Sequence, residues 1–183
     1  MSARRVVVVG YGMAGARLAD EIRRRDPDGG RVALTVVGAE PHHAYNRVLL
    51  SSVLAGSLST GSVRLHGPDW ASGHGVDLRL GVSARALDRS ARRVHLSDGS
   101  AVGYDALVLA TGAGPWTPPV AGLATDDGLA EGAVFFRTVD DCERLVAAAR
   151  PGTPVAVLGG GLLGLEAARA LAGRGCPVTV VHP

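Results

Sequence analysis

The residues with the most specific chemical meaning in this chain are glycines. Gly10-Tyr11-Gly12-Met13-Ala14-Gly15 follows the apolar run at 6–9, and Gly159-Gly160-Gly161-Leu162-Leu163-Gly164 follows the apolar run at 155–158. Each reads as a strand, a tight turn and a helix. In such a unit the first glycine (Gly10, Gly159) permits the turn. The second (Gly12, Gly161) lets bare backbone approach a diphosphate, and the third (Gly15, Gly164) lets helix and strand pack closely. The diphosphate then lies on the helix N-terminus, where unpaired N–H groups and the positive end of the dipole favour an anion. Neither Met13 nor Ala14 carries a charge that would block it. Two copies in one chain imply two dinucleotides, and a protein that holds two usually moves electrons between them.

Other candidates cluster after the first copy. Glu40 ends the second apolar run, just before Pro41. A carboxylate there can accept hydrogen bonds from both ribose hydroxyls of an adenosine; the alternative is an ordinary solvated acid. Its distance from Gly15 slightly exceeds the roughly 20 residues of the general pattern, and the turn at 26–30 can absorb the excess. Arg47 is the first cation after Glu40, and at a helix start it either neutralises a phosphate or is a surface arginine. Ala110-Thr111-Gly112 ends a later apolar run with a small side chain and bare backbone, where a cofactor must pass. His42 and His43 cannot both face one ion from a regular strand or helix, and no Cys/Asp/Glu spacing supports them, so no metal is expected. Tyr45, Trp70 and Trp116 could stack on an aromatic ligand, with core packing or surface filling as the alternative. No nucleophile–base pair or carboxylate pair is found. None is needed where bound cofactors carry the chemistry and the protein positions them.

The elements that must position these groups follow from the pattern. The β-branched run at 6–9 suits a parallel strand covered on both faces. Residues 13–25 have helical spacing and are stopped by the 26–30 turn, and 32–37 makes a second strand. A short helix is expected over 47–55, then an unassigned Ser/Gly-rich stretch to Gly75. Strands are expected at 76–80, 84–87, 93–96 and 101–102, the last three as a small antiparallel meander. Residues 106–110 read as another fully buried strand. Stretches at 112–122 and 125–132 look like a connection. A helix over 138–150, a strand at 155–158, a helix at 162–173 and a strand at 178–181 then make the second unit. The expected division is 1–122 for the first dinucleotide domain with its meander, 123–150 for a connection and helix, and 151–183 for the opening strand–helix–strand of a second domain. One such unit leaves sheet edges uncovered, so a longer protein is expected.

Composition excludes several classes. The formal net charge is +2 across 183 residues, and lysine is absent, which argues against a nucleic-acid partner. Arg23-Arg24-Arg25 reads as a solvated helix end suited to the dipole. The N-terminus imitates a secretory signal, but Gly10 and Gly12 break its apolar region too early. No run approaches the roughly 20 apolar residues that span a bilayer, and a cytoplasmic protein is expected. Cys142 and Cys176 are too far apart for a CxxC pair and read as buried small apolar groups.

The order of glycine fingerprint, acid-proline, Tyr-x-Arg, meander, Ala-Thr-Gly and second fingerprint resembles the two-dinucleotide flavoprotein reductases, in which FAD occupies the first unit and NAD(P)H the second. Within them, Glu40-Pro41-His42-His43-Ala44-Tyr45-Asn46-Arg47 and the following Val48-Leu49-Leu50-Ser51-Ser52-Val53-Leu54-Ala55-Gly56 are most similar to the flavin module of the NAD(P)H nitrite reductase large subunit. The resemblance implies an α/β fold with a Rossmann-like parallel sheet, and hydride transfer from NAD(P)H to FAD. Electrons would then pass to a metal centre in a downstream iron–sulfur or sirohaem domain, or to a carrier protein. It places the FAD diphosphate on Gly12, Met13, Ala14 and Gly15 beyond the Gly10 turn, and the ribose on Glu40. Further flavin contacts fall on Arg47, Ser83, Ala84, Thr111 and Gly112. NAD(P)H would meet Gly161, Leu162 and Leu163, between Gly159 and Gly164, with Glu166 early in the helix. The chain departs from the pattern in two places. Serine stands at 52 near where related reductases carry a lysine, and His182 stands where the NADH-using members commonly have glutamate. The family's third FAD segment, its interface domain and the cluster-binding cysteines are not in these residues. Assimilatory nitrite reduction is the expected role. A ferredoxin or rubredoxin reductase and a non-catalytic dinucleotide-binding fragment are the alternatives.

Overall fold

The computed structural model describes residues 2–126 and 128–182. Along the chain, β1 (Arg4–Val9) leads into α1 (Met13–Arg25) and β2 (Val32–Gly38). A 3-10 turn at Arg47–Leu49 runs into α2 (Leu50–Leu54), and α3 (Trp70–Gly73) precedes β3 (Asp77–Leu80). Then come β4 (Ala84–Asp88), β5 (Arg93–Leu96), β6 (Ala101–Gly103) and β7 (Ala106–Leu109). A two-residue hairpin, β8 (Ala124–Thr125) with β9 (Gly128–Leu129), precedes α4 (Val139–Ala148), β10 (Val155–Leu158), α5 (Leu162–Gly173) and β11 (Val178–Val181). The backbone falls into two compact units, Met1–Asn46 with Arg64–Ala113, and Arg47–Val63 with Gly114–Pro183. Residues 47–63 therefore group with the second unit, although their place in the sequence suggests the first.

In the first unit a four-stranded parallel sheet has the order β3-β2-β1-β7. Alternation along β1 decides both faces. Val8 packs with Ala16 and Ala19 of α1 and with Leu34 and Val36. Val7 and Val9 point the other way, onto Val37 and onto Val94, Leu96 and Val102 of the antiparallel β4-β5-β6 meander. The sheet is thus covered by a helix on one face and by the meander on the other, as the unbroken valine run requires.

Two expectations fail here. The strand at 106–110 is not fully buried. β7 lies at the sheet edge, its first three residues are half-buried, and Leu109 is 66% exposed. Nor is Arg23 a solvated helix end. It is 3% exposed, its guanidinium donates to the carbonyls of Val32 (3.1 Å) and Gly75 (3.1 Å), and it lies 3.8 Å from Asp26. Only Arg24 and Arg25 match the solvated reading, each paired with Glu21. The Asp26 carboxylate also accepts from the Val32 N–H at 2.8 Å, which stitches the end of α1 to the start of β2.

In the second unit, β10 and β11 pair in parallel around α5. Thr138 caps α4 and forms a capping box with Asp141, so two orphan N–H groups are satisfied reciprocally. Cys142 on α4 is buried and its thiol donates to the Leu50 carbonyl of α2 at 3.7 Å. Arg174, just past α5, donates to the Leu54 carbonyl at 3.1 Å. Both cysteines are buried and free, as their type predicts.

Candidate dinucleotide-binding sites

All four strands of the first unit's sheet run the same way, so their C-terminal ends, at Val9, Gly38, Leu80 and Leu109, share one edge. The fingerprint at 10–15, Glu40, Ser83 with Ala84, and Thr111 with Gly112 follow those ends directly or within a few residues. β2 and β7 flank β1 on opposite sides, and such a switch at the carboxyl edge of an open parallel sheet is where a crevice for ligands forms.

The three glycines of the first fingerprint have distinct duties. Gly10 has φ +109°, and a Cβ there would run into the Ala110 carbonyl and lie 2.9 Å from the Thr111 nitrogen. The turn is held to both neighbouring strands, because Gly10 N–H donates to Val37 (2.8 Å) and Ala110 N–H to Val9 (2.7 Å). A Cβ on Gly15 would run into the Gly10 carbonyl, which is why helix and strand can approach only through glycine. Gly12 differs from both. At φ −83° and ψ −167° it is ordinary extended backbone, and a Cβ there would meet no protein atom within 4 Å. It is the N-cap of α1, with no side-chain cap and no acid in the first turn. Unpaired N–H groups beside open space fit a diphosphate, and nothing local demands glycine at position 12 except such a neighbour.

The second fingerprint repeats this geometry. Gly159 has φ +119°, Gly161 caps α5 at φ −73° and ψ 175° with open space around its Cβ position, and a Cβ on Gly164 would run into the Gly159 carbonyl. The last contact is backed by Val157 Cγ1 at 3.6 Å, as Val8 Cγ1 at 3.6 Å backs the one at Gly15. Leu162 and Leu163, the first residues of α5, are 78% and 49% exposed. Glu166 is half-buried and lies past the first turn, which holds no acid. A Cβ on Gly160 would lie 2.9 Å from His182, so the side chain at the tip of β11 packs directly over this turn.

The remaining sequence-predicted residues are placed as follows. Glu40 is half-buried and its carboxylate accepts from the Tyr45 hydroxyl at 2.6 Å. Gly81 N–H donates to the Glu40 carbonyl (3.1 Å) and Val82 N–H to Gly38 (3.0 Å), which draws the chain ahead of Ser83 to the same strand end. Ser83 is tied to Ser97 by two hydrogen bonds, of 3.0 and 2.8 Å, and Ala84 begins β4. Thr111 and Gly112 are exposed, and Gly112 has φ +69°. Arg47 groups with the second unit, where its Nη1 donates to the Arg137 carbonyl at 2.7 Å. Tyr45 is buried, Trp116 is 76% exposed, and Trp70 stacks on His66. Sequence reasoning passes over Tyr11 and His66, which the fold brings to 2.6 Å of each other. The only signal was an aromatic side chain inside a fingerprint that uses backbone alone. Among the described residues no cluster of three or more His, Cys, Asp or Glu could hold a metal ion, and no helix is long and apolar enough to cross a membrane.

Two Rossmann-type cradles on one chain define the class of a two-dinucleotide protein. The chain belongs to the pyridine nucleotide-disulphide oxidoreductase family, whose model matches residues 4–183. It is 37% identical, over its whole length, to an assimilatory nitrate reductase electron transfer subunit of Bacillus subtilis (strain 168), and spans 23% of that protein. It is also 37% identical over its whole length to a nitrite reductase [NAD(P)H] of the same organism, of which it spans 22%. Among solved structures it resembles that of the covalent putidaredoxin reductase–putidaredoxin complex, with TM-score 0.87 and 31% identity, covering 98% of this chain and 42% of that one. The chain thus spans less than a quarter of the length of either of these two curated relatives.

Proposed function

We propose that this chain is the nucleotide-binding part of a cytoplasmic, FAD-dependent NAD(P)H oxidoreductase that passes electrons to a metal centre in assimilatory nitrite reduction. The observation that carries the reading is the pair of glycine cradles, each with a second glycine that the fold itself does not require. When bound, NAD(P)H supplies a hydride and FAD accepts it and releases electrons singly. The N–H groups at the start of α1, between Gly12 and Gly15, hold the FAD diphosphate. Glu40 accepts from the adenosine ribose, held in place by Tyr45. Ser83, Ala84, Thr111 and Gly112 wall the crevice at the carboxyl edge. Gly161, Leu162 and Leu163 receive the NAD(P)H diphosphate on α5. No side chain need act as acid or base, because the two coenzymes carry the chemistry and the protein binds and orients each of them. The whole-length likeness to a nitrite reductase and to a nitrate reductase electron transfer subunit supports an acceptor in a downstream iron–sulfur or sirohaem domain. A second reading, transfer to a separate carrier protein, is favoured by the likeness to a reductase solved with its partner putidaredoxin.

The test is anaerobic mixing of the FAD-loaded, full-length protein with NADH and with NADPH, followed by loss of the oxidised flavin spectrum. Bleaching by at least one, and reoxidation by nitrite without added carrier, is expected. A flavin that neither coenzyme bleaches refutes the proposal, and reoxidation only through an added ferredoxin-type carrier selects the second reading.

A further inference from the structure

A chain of polar side chains, buried at Tyr11 and His66 and reaching the surface at Asp20, ties the first fingerprint to the elements beside it, and the diphosphate cradle alone does not account for it. Tyr11, between Gly10 and Gly12, is 7% exposed and packs in the core against α1. Its hydroxyl oxygen lies 2.6 Å from Nδ1 of His66, which is 3% exposed. The other ring nitrogen of His66, Nε2, lies 3.0 Å from Oδ1 of Asp20 on α1. Trp70 of α3 stacks on the imidazole, with centroids 3.8 Å apart and planes 9° apart, and so fixes the plane in which both nitrogens point. At the end of β2, a Cβ on Gly38 would lie 3.0 Å from the Tyr11 Cβ, so glycine there makes room for the ring.

Donor and acceptor accounting gives one assignment for the neutral imidazole. A carboxylate only accepts, so Nε2 carries the hydrogen and donates to Asp20. Nδ1 is then the acceptor, and the Tyr11 hydroxyl donates to it. Burial, and after it the charge of Asp20, pushes the Tyr11 phenol up to about 12, so this donor is kept throughout the neutral range. Moving the Tyr11 ring would orphan a buried nitrogen and a buried hydroxyl together.

The consequence falls on the backbone. A Gly-X-Gly segment has two of its three residues free to visit both signs of φ, so ordering it on binding carries a large entropic cost. Anchoring X removes that cost before the ligand arrives. We propose that Tyr11, His66 and Asp20 form a positioning relay that pre-organises the Gly10-Tyr11-Gly12 turn for the diphosphate of the first dinucleotide. The inference rests on the assignment of that cradle to FAD made above.

The test titrates FAD and, separately, ADP into the apo form of the full-length protein, alongside its apo melting temperature. Tyr11→Phe keeps the ring and should weaken FAD about five- to tenfold, with ADP weakened in parallel. Asp20→Ala should weaken FAD by a similar factor. Asp20→Asn, whose amide oxygen still accepts from Nε2, should restore most of that loss. The Tyr11→Phe/Asp20→Ala double variant should lose little more than either single one, as expected for members of one chain. A Tyr11→Phe protein with a lowered melting temperature and wild-type FAD and ADP affinity overturns the relay and leaves a packing role. If Tyr11→Phe does not fold, the half-exposed Asp20 pair decides, and equal FAD affinity in Asp20→Ala and wild type overturns the relay. Wild-type protein that binds no FAD overturns the functional reading as well, which separates the two failures.

Discussion

Gly12→Val separates what the first cradle does for the fold from what it does for a ligand. Gly12 sits in extended backbone at φ −83°, and a Cβ there would meet nothing within 4 Å, so neither the backbone conformation nor the first side-chain carbon opposes a substitution. The cost to the fold is a poorer N-cap, about 0.5–1 kcal/mol, since glycine is tolerated at that position and β-branched residues are not. At about 2–4 °C per kcal/mol for a protein of this size, the apo melting point should fall by no more than about 4 °C. The ligand fares differently. The valine methyls project into the space in front of the first N–H groups of α1. A diphosphate pushed off two of them loses two hydrogen bonds of about 1.5–3 kcal/mol each, or roughly 10²–10⁴ in affinity. Gly15→Ala is the contrasting control. Its Cβ would strike the Gly10 carbonyl, a backbone atom that cannot swing aside. Overpacking of about 1–3 kcal/mol then outweighs the roughly 1 kcal/mol that alanine gains in helix propensity. Flavin titration of the apo proteins, with calorimetric melting, should show Gly12→Val losing ligand and keeping stability, and Gly15→Ala losing stability. Wild-type FAD affinity in Gly12→Val would refute the cradle.

Glu40→Ala should weaken FAD by about 1.5–3 kcal/mol, the range for hydrogen bonds to a charged group, and an unchanged dissociation constant would place the ribose elsewhere. Arg23→Met removes a buried guanidinium from two carbonyls and from Asp26, and should lower stability to urea by roughly 2–4 kcal/mol. A loss under 1 kcal/mol would mean that the buried charge is not structural. Acid stability follows from two carboxylates. Hydrogen bonding from the Arg5 guanidinium above all holds Asp105 at about 2, and hydrogen bonding from Arg24 above all holds Glu21 at about 2. Depressed values mean stability that is present above the ordinary carboxylate range and lost as pH falls from about 4 towards 2. In Asp105→Asn the decline of melting temperature across that window should be shallower than in wild type, and parallel curves would discount the pair.

The parts legible in the sequence are those set by neighbours along the chain. Helices Met13–Arg25 and Leu162–Gly173 and strands Val155–Leu158 and Val178–Val181 fall where periodicity and glycine place them, because each is bounded by residues a few positions away. What could not be read depends on partners far off. Arg23 is buried because Gly75, 52 positions on, supplies a carbonyl. Tyr11 meets a histidine 55 positions away. Leu109 is exposed because β7 is the outermost strand, a property of strand order that an apolar run does not encode. The short α3 and the β8–β9 hairpin offer too few residues for a period to emerge.

The two cradles make the same division visible within one motif. Gly10 and Gly159 share a positive φ, and Gly15 and Gly164 share a collision with the carbonyl of the first glycine, all set within six residues of sequence. Yet Gly10 is also pressed by Ala110 and Thr111, whereas a Cβ on Gly159 would meet no described atom within 4 Å. The difference is a strand. β7 lies beside β1 and carries Thr111 to the turn, and among the described residues β10 has β11 as its sole strand partner. The turn and the helix–strand contact of a fingerprint are therefore set locally, while the packing against Gly10 comes from the strand on the far side, which only the folded sheet supplies.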